Sequence, residues 1–563
     1  MDSELLHDQT PTAGIRLILG YLCVFIAFVG GITLLPLVMI AAFPDEWVCF
    51  PAFAIPGGLS LIVGGIVAYI FTKGKQKGKL GKFQDSVLLV LIWLVTVLIG
   101  AMPFFLADKV DFFGANNGAL SMNYSESVFE SMSGYCAVGY TVMHGFDSRG
   151  SPVYSSFIDT NIGYCPHIFL FYRAITQFFG GVGLVLVVAS AVSDRFGMQL
   201  FVTEGHNDRL LPNLAKTAKA TFGIYTAIII LGTLSMWLFG MDWFEALCHS
   251  ISGMATGGFS TRVSGFYQYT NPNPILGSVM PIGIEVTMIV IMILGATSFL
   301  LIFNALTMRW KNFFRDCEIR FMGGVILIFT LLSTFFIMLE YNEGAQAGLP
   351  FSTALRYGAF QIISCLTTTG FGNAPSILVL GQGTIFLSIL MMLIGGGMGS
   401  TAGAIKQFRV VVALKSLWWS IRYKFSPSRM YYPRNVIRAG KTVEITEEMY
   451  KENTQYIVLY IFVLLVPSIG MLFLPKSGDG TFFSSTESFY LVASSLSGTG
   501  NTIVDFLGIR QSMNAMGADG MMWSYYVVLW LMSLCMILGR LEILPIYYAA
   551  RRLNRLILRR EVI

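Results

Sequence analysis

The sequence predicts an all-α polytopic membrane protein: ten transmembrane helices, with one N-terminal helix pair followed by four pseudo-repeats around a central pore. Three observations predict it. Hydrophobic residues make up 55% of the 563 positions and charged residues 12%, against about 25% charged in soluble chains. Ten apolar runs are each long enough to cross roughly 30 Å of hydrocarbon. Between the later runs, a short segment ending in glycine recurs four times. The composition excludes an ordinary soluble enzyme, a disordered chain and a nucleic-acid binder.

The apolar runs lie near 16–42, 51–72, 85–107, 166–193, 213–240, 280–307, 321–340, 381–405, 453–474 and 522–549. An even number puts both termini on one side. Lys and Arg number 29 in the segments on that side and 7 in the opposite ones, and Arg540, inside a span, completes the 37. The positive-inside bias therefore predicts cytoplasmic termini in a cell (inner) membrane. Asp2, Glu4 and Asp8 leave no basic leader region, so the first span is expected to stay in the protein. The eight cysteines form no CxxC pair and are expected to be small buried residues. The division that follows is 1–82 for the helix pair, 83–195 for repeat 1, 209–309 for repeat 2 and 320–425 for repeat 3. A cytoplasmic linker, 426–451, precedes repeat 4 at 452–563.

Four outer connections, 124–140, 242–259, 351–372 and 484–501, carry apolar stretches too short to span. Such stretches read as re-entrant half-helices. Their turns are Cys136-Ala137-Val138-Gly139-Tyr140, Met254-Ala255-Thr256-Gly257-Gly258, Thr367-Thr368-Thr369-Gly370-Phe371 and Ser497-Gly498-Thr499-Gly500-Asn501. With glycines 139, 257, 370 and 500 taken as equivalent, the spacings are 118, 113 and 130. A dehydrated monovalent cation needs several oxygens in place of water, and four extended turns around one axis supply rings of carbonyls. Glycine permits the dihedrals that this requires. The candidate selectivity-filter residues are Ala137, Val138 and Gly139; Ala255, Thr256 and Gly257; Thr368, Thr369 and Gly370; and Gly498, Thr499 and Gly500. Potassium would bind through their backbone carbonyls. The competing reading is four ordinary loops, where Gly, Ser and Thr are common.

The run near 381–405 ends in Gly395, Gly396, Gly397, Gly399, Ser400, Thr401 and Gly403. Each glycine costs a helix about 1 kcal/mol relative to alanine. A broken helix beneath a filter reads as a gate, and close helix packing through small residues is the alternative. Arg540 lies eleven residues before the basic cluster that starts at Arg551, roughly 16 Å along a straight helix. At that depth an arginine costs at least about 2.5 kcal/mol and should face the interior. It is expected to act as an electrostatic barrier beside the gate, or to pair with Glu542 or another carboxylate. Glu130, Glu245 and Glu487 are expected either to concentrate cations at the entrance or to be solvated surface, and Glu285 to be interfacial. Arg173 and Gln177 are expected to hold a half-helix. The lysines of 73–82 suit anionic membrane lipid, and segments 195–220 and 406–450 suit a docking partner.

Several stretches together resemble the TrkH/KtrB family of potassium-uptake subunits. They are Ser364 to Gly372, Ala255 to Thr261, Gln177 to Gly183, Gly399 to Gly403 and Leu538 to Leu544. The additional N-terminal helix pair is similar to the TrkH type. The resemblance implies a homodimer of pore subunits of a Trk system, gated by a cytoplasmic ring of nucleotide-binding TrkA-like subunits. The first turn departs from the family's Thr-rich pattern with Cys136-Ala137-Val138. The fourth carries Gly500-Asn501-Thr502 where Gly-Pro-Gly is common. Glycine at position 139 is what the family's potassium-selective members carry, so potassium uptake is expected. A sodium-permeable or poorly selective relative is the alternative. Flux that is passive and flux coupled to protons or sodium, as in a symporter, stay equally open. Five histidines without an HExxH pattern, and no phosphate-binding loop, predict no enzyme activity and no cofactor in the chain.

Overall fold

Glycines set how closely the first two helices approach. In the computed structural model, Ile15–Leu34 and Phe50–Thr72 run against each other along their length. A Cβ on Gly30 would lie 2.7 Å from the Gly57 carbonyl, and one on Gly64 would lie 2.9 Å from that of Cys23. Helices in lipid gain little from hydrophobicity against each other, so small residues that let backbones touch decide the packing. The structure describes residues 15–72, 84–107, 109, 122–143, 145–146, 152–153, 165–182, 214–262, 265–270, 280–341, 349–425, 434–515 and 522–557. The lysines of 73–82 and most of 195–220 fall outside these.

Four repeats follow, each a long helix, a short pore helix, a turn and a return helix. The long helices are Gln84–Gly100, Leu214–Leu238, Cys317–Glu340 and Glu447–Met471. The pore helices are Tyr124–Tyr135, Trp243–Met254, Phe351–Leu366 and Ser485–Ser497. Local chemistry starts three of them. Glu126 accepts from Asn123 N at 2.9 Å, Asp242 accepts from Phe244 N at 2.9 Å, and Ser484 and Glu487 cap each other.

The return helices break. Pro281–Gly295 and Phe299–Leu306 meet at 111°. Gln382–Ile394 unwinds into a loop before Gln407–Lys424. Met522–Arg540 ends in a bend, with Glu542 and Ile543 at positive φ, before Leu544–Ile557. The first return helix is described over His167–Val182. The straight spans expected at 280–307 and 522–549 are therefore corrected to broken ones. Backbone proximity accompanies the breaks: a Cβ on Gly180, Gly295 or Gly539 would press on the carbonyl of Tyr135, Met254 or Leu496, at the foot of the neighbouring pore helix. Seven single helices among the described residues are long and apolar enough to span, and the bent pair makes an eighth.

Ion pairs, four of them with a buried carboxylate, brace the pore helices. Arg173 Nε donates to Glu130 at 2.8 Å, with both side chains almost wholly buried. Arg262 meets Glu245 at 2.7 Å, Arg356 meets Glu285 at 2.9 Å, Lys476 meets Glu487 at 2.7 Å and Arg510 meets Glu126 at 3.0 Å. This corrects the expectation for the carboxylates. Glu130 and Glu245 are neither solvated nor free to attract cations, and Glu285 is buried rather than interfacial. The reason is that each is neutralised by a guanidinium on an adjoining element.

Removing one partner of such a pair strands a buried charge. Arg173→Met is expected to destabilise the protein by about 3–5 kcal/mol, read as a lowered thermal midpoint in detergent. Glu130→Gln/Arg173→Met is expected to recover much of it.

Candidate ion-pathway site

The four turns share one backbone conformation. Ala137, Thr256, Thr368 and Gly498 have φ between +51° and +78°, and Gly139, Gly258, Gly370 and Gly500 between +73° and +101°. Between them, the N–H groups of Val138, Gly257, Thr369 and Thr499 donate to the carbonyls of Ser133, Ser252, Ser364 and Ser494, each at 2.9 Å. Left-handed dihedrals at alternate residues can aim successive carbonyls to one side, which ordinary strand geometry does not.

These hydrogen bonds correct the register of the second repeat. The residue equivalent to Gly139, Gly370 and Gly500 is Gly258, not Gly257; Gly257 stands where Val138, Thr369 and Thr499 stand, and Ala255 falls one step before the turn. Two adjacent glycines hid the slip. A signal in the sequence resolves it: Ser133, Ser252, Ser364 and Ser494 each precede the left-handed glycine by six residues.

The turns close into a ring. Gly139 abuts the Gly257 carbonyl, Gly258 that of Thr369, Gly370 that of Thr499, and Gly500 that of Val138. An added Cβ at any of the four would land on that oxygen, well inside contact distance. Hydroxyls brace two of the turns: Thr367 Oγ1 and Thr369 Oγ1 are 2.9 Å apart, as are Ser497 Oγ and Thr499 Oγ1 at 2.7 Å. At the second turn, Gln177 Nε2 from the first return helix donates to the Gly257 carbonyl at 2.7 Å. Arg173 Nη1 donates to the Ser260 carbonyl at 3.0 Å, and the guanidinium stacks on Phe259.

The loop from Gly395 to Lys406 lies against the helix side of this ring. Thr401 Oγ1 donates to the carbonyls of Gly295 and Met254 at 2.9 and 3.2 Å, and Thr256 Oγ1 donates to Thr401 Oγ1 at 3.1 Å. Gly403 N donates to Thr368 Oγ1 at 3.0 Å, and Gly403 packs on the Ser497 carbonyl. Gly397 N donates to the Ala296 carbonyl at 2.8 Å, and Gly396 packs on Ala296. Gly395 and Gly399 have positive φ, the Gly399 carbonyl accepts from Phe299 N at 3.2 Å, and Ser400 Oγ donates to the Gly397 carbonyl at 2.6 Å. Arg540 reaches both: Nη1 donates to the Thr401 carbonyl at 3.2 Å and Nη2 to the Gly180 carbonyl. The pairing expected with Glu542 does not form, because Glu542 meets Arg409 at 2.7 Å across the bend.

A β-hairpin, β1 (Asn435–Arg438) and β2 (Lys441–Glu444), is linked to the loop at Met398. Asp316 accepts from Ala439 N at 2.7 Å and from Glu318 N at 2.8 Å; Glu318 then accepts from Met398 N at 2.9 Å. Burial raises the Asp316 carboxyl above its ordinary range, against these N–H donors, which lower it. No spacing in the sequence announces this connection. Among the described residues no cluster of His, Cys, Asp or Glu could hold a metal ion, and the eight cysteines are free.

Four re-entrant helices whose turns close into one ring, inside a multi-pass helical bundle, define a membrane transporter and not an enzyme. A profile of the TrkH family, described as "Cation transport protein", matches residues 113–555, and the chain belongs to that family. Its relatives include the Trk system potassium uptake protein TrkH of Salmonella typhimurium, 26% identical over 86% of this chain and 88% of that one. An uncharacterized cation transporter of Methanocaldococcus jannaschii is 28% identical over 75% of each chain. The crystal structure of the potassium transporter TrkH from Vibrio parahaemolyticus has the same fold, with a TM-score of 0.72 over 95% of this chain and 98% of that one at 22% identity.

The ring contacts separate two kinds of glycine. Gly258→Ala, Gly370→Ala and Gly500→Ala are each expected to abolish cation flux in proteoliposomes, since each combines a left-handed backbone with a backbone clash. Gly31→Ala, where nothing lies within 4 Å, is expected to be silent in the same assay.

Proposed function

We propose that the chain takes up potassium across the cell membrane through the four-turn ring. The observation that carries this reading is the closed set of contacts between each left-handed glycine and the next repeat's carbonyl. Four carbonyl-bearing strands held in mutual contact can replace the hydration shell of a monovalent cation. The carbonyls at Val138, Gly257, Thr369 and Thr499, with those of the flanking residues, are the ligands. The pore helices end beneath the turns, and their C-terminal dipole ends favour a cation there. Glycine at all four corrected positions favours potassium over the sodium-permeable alternative. The potassium uptake for which the TrkH relatives are named supports the same choice.

The Gly395–Lys406 loop is the gate, and Arg540 is the barrier beside it. Arg540 is held by carbonyls, which leave its charge in place, whereas a carboxylate would neutralise it. The loop's contacts with turns two, three and four support a gate across the way from the ring to the far side. The Lys/Arg bias supports cytoplasmic termini. The hairpin and the 406–450 segment then face the cytoplasm, where a nucleotide-binding TrkA-like ring would act on a homodimer of this chain.

Reconstitution into liposomes with K⁺, Rb⁺, Na⁺ and Li⁺ gradients in parallel tests the function. Flux of K⁺ and Rb⁺ well above Na⁺ is expected, and equal Na⁺ flux would sink the selectivity reading. Arg540→Ala is expected to raise basal flux several-fold; unchanged or lower flux in folded protein would argue against the barrier.

A further inference from the structure

The ring has fourfold backbone geometry, but its second corner is built differently from the rest. At the third and fourth corners the residue donating the carbonyl is a threonine, Thr369 or Thr499. Each is braced by a hydroxyl two residues earlier. At the second corner the residue is Gly257, which has no side chain to brace. The space is taken by Gln177 from the preceding repeat, because a Cβ on Gly257 would overlap its amide group. Gln177 is fully buried, and both ends of its amide are used. Nε2 donates to the Gly257 carbonyl at 2.7 Å, and Oε1 accepts from Ser252 Oγ at 2.6 Å. Gly257 O is also the atom against which Gly139 rests. The amide thus sits at the seam between repeats 1 and 2.

The sister positions carry no amide. Gln177 stands three residues before Gly180, which presses on the Tyr135 carbonyl. Gly295 and Gly539 press on the corresponding carbonyls of Met254 and Leu496. Three residues before them stand Met292 and Met536, both buried. Methionine fills that space without polar contacts. An amide there therefore does what filling the space does not: it fixes the position of one carbonyl and uses part of its capacity to accept.

We infer that Gln177 is a positioning residue for ion selectivity, setting the Gly257 carbonyl through a two-ended amide clamp anchored on Ser252. This rests on the reading of the ring as a potassium filter. A carbonyl released from the clamp can follow a smaller ion inward, since discrimination between potassium and sodium depends on how far the ligands give. Loss of the clamp therefore admits sodium more than it slows potassium.

The test is Gln177→Met, which installs the residue of two sister positions and so preserves volume, together with Ser252→Ala, which loosens only the far end. Both would be purified, checked for monodispersity and assayed in proteoliposomes for K⁺ and Na⁺ flux beside the unaltered protein. For Gln177→Met, a rise of about tenfold in the Na⁺-to-K⁺ flux ratio is expected, with K⁺ flux within a few-fold of normal. Ser252→Ala is expected to shift the ratio in the same direction by less. An unaltered ratio in folded Gln177→Met overturns the inference; if that variant does not fold, an unaltered ratio in Ser252→Ala does so. A lack of potassium preference in the unaltered protein would instead overturn the filter reading itself.

Discussion

The contact between a left-handed glycine and the carbonyl of the next repeat is the constraint on which the rest of the structure depends. Because the contacts close from Gly500 back to Val138, no turn can shift without moving the next. The ring has no room for a Cβ at its four left-handed glycines, and side-chain hydroxyls of its own brace only the third and fourth turns. Further rigidity comes from behind. That is where the buried pairs stand: Arg173 with Glu130 and the Ser260 carbonyl, Arg262 with Glu245, and Arg356 with Glu285 and Thr270. Buried ion pairs are weak sources of stability but strict about geometry. Here they tie three of the four pore helices to adjoining elements: the first to its return helix, the second to the segment after its turn and the third to the preceding return helix.

Beyond the second corner, departures from fourfold symmetry fall on the other side of the ring. Among the described residues, only the third repeat unwinds its return helix into a glycine-rich loop, and only the fourth places an arginine at the break. The two meet at the Thr401 carbonyl. A guanidinium satisfied by carbonyl groups keeps its full charge, and in a low-dielectric interior that charge acts over a longer range than it would in water. Glu542, two residues away, would have cancelled it, but the backbone bend at Glu542 and Ile543 turns that carboxylate towards Arg409.

Much of this was legible in the sequence because it depends on composition and period. Apolar length marked the helices, and glycine after a run of small residues marked all four turns. The loop was legible because five glycines in nine residues oppose helix on local grounds alone. What stayed hidden depends on long-range backbone approach. The bend at Thr297 is marked locally only by the small residues Gly295 to Ser298, and nothing local shows that Gly295 must clear the Met254 carbonyl. The register of the second turn was hidden by two adjacent glycines, although Ser252, six residues before Gly258, carried the answer. The burial of Glu130 and Glu285 was hidden because their partners lie 43 and 71 residues away.

The loop's own conformation bears on how readily it can move. Ala404 and Lys406 are held at positive φ without being glycine, each at a cost on the order of 1–3 kcal/mol. Hydrogen bonds from Thr401 and Gly397 to the second repeat, and from Gly403 to the turn of its own repeat, oppose that strain, each contributing about 0.5–1.5 kcal/mol net. The two sets of terms are similar in size and opposite in sign. An element balanced in this way needs only a few kcal/mol to change position, which is the scale on which one binding event elsewhere can act. Its tether supplies a route for such a change: the Met398 N–H is held by Glu318, and the same helix start is held through Asp316 by the hairpin turn at Ala439. A displacement of that hairpin would act first on Asp316, and through it on the helix start whose Glu318 holds the Met398 N–H. Loss of that one bond would add to the strain at Ala404 and Lys406 on the side that favours movement.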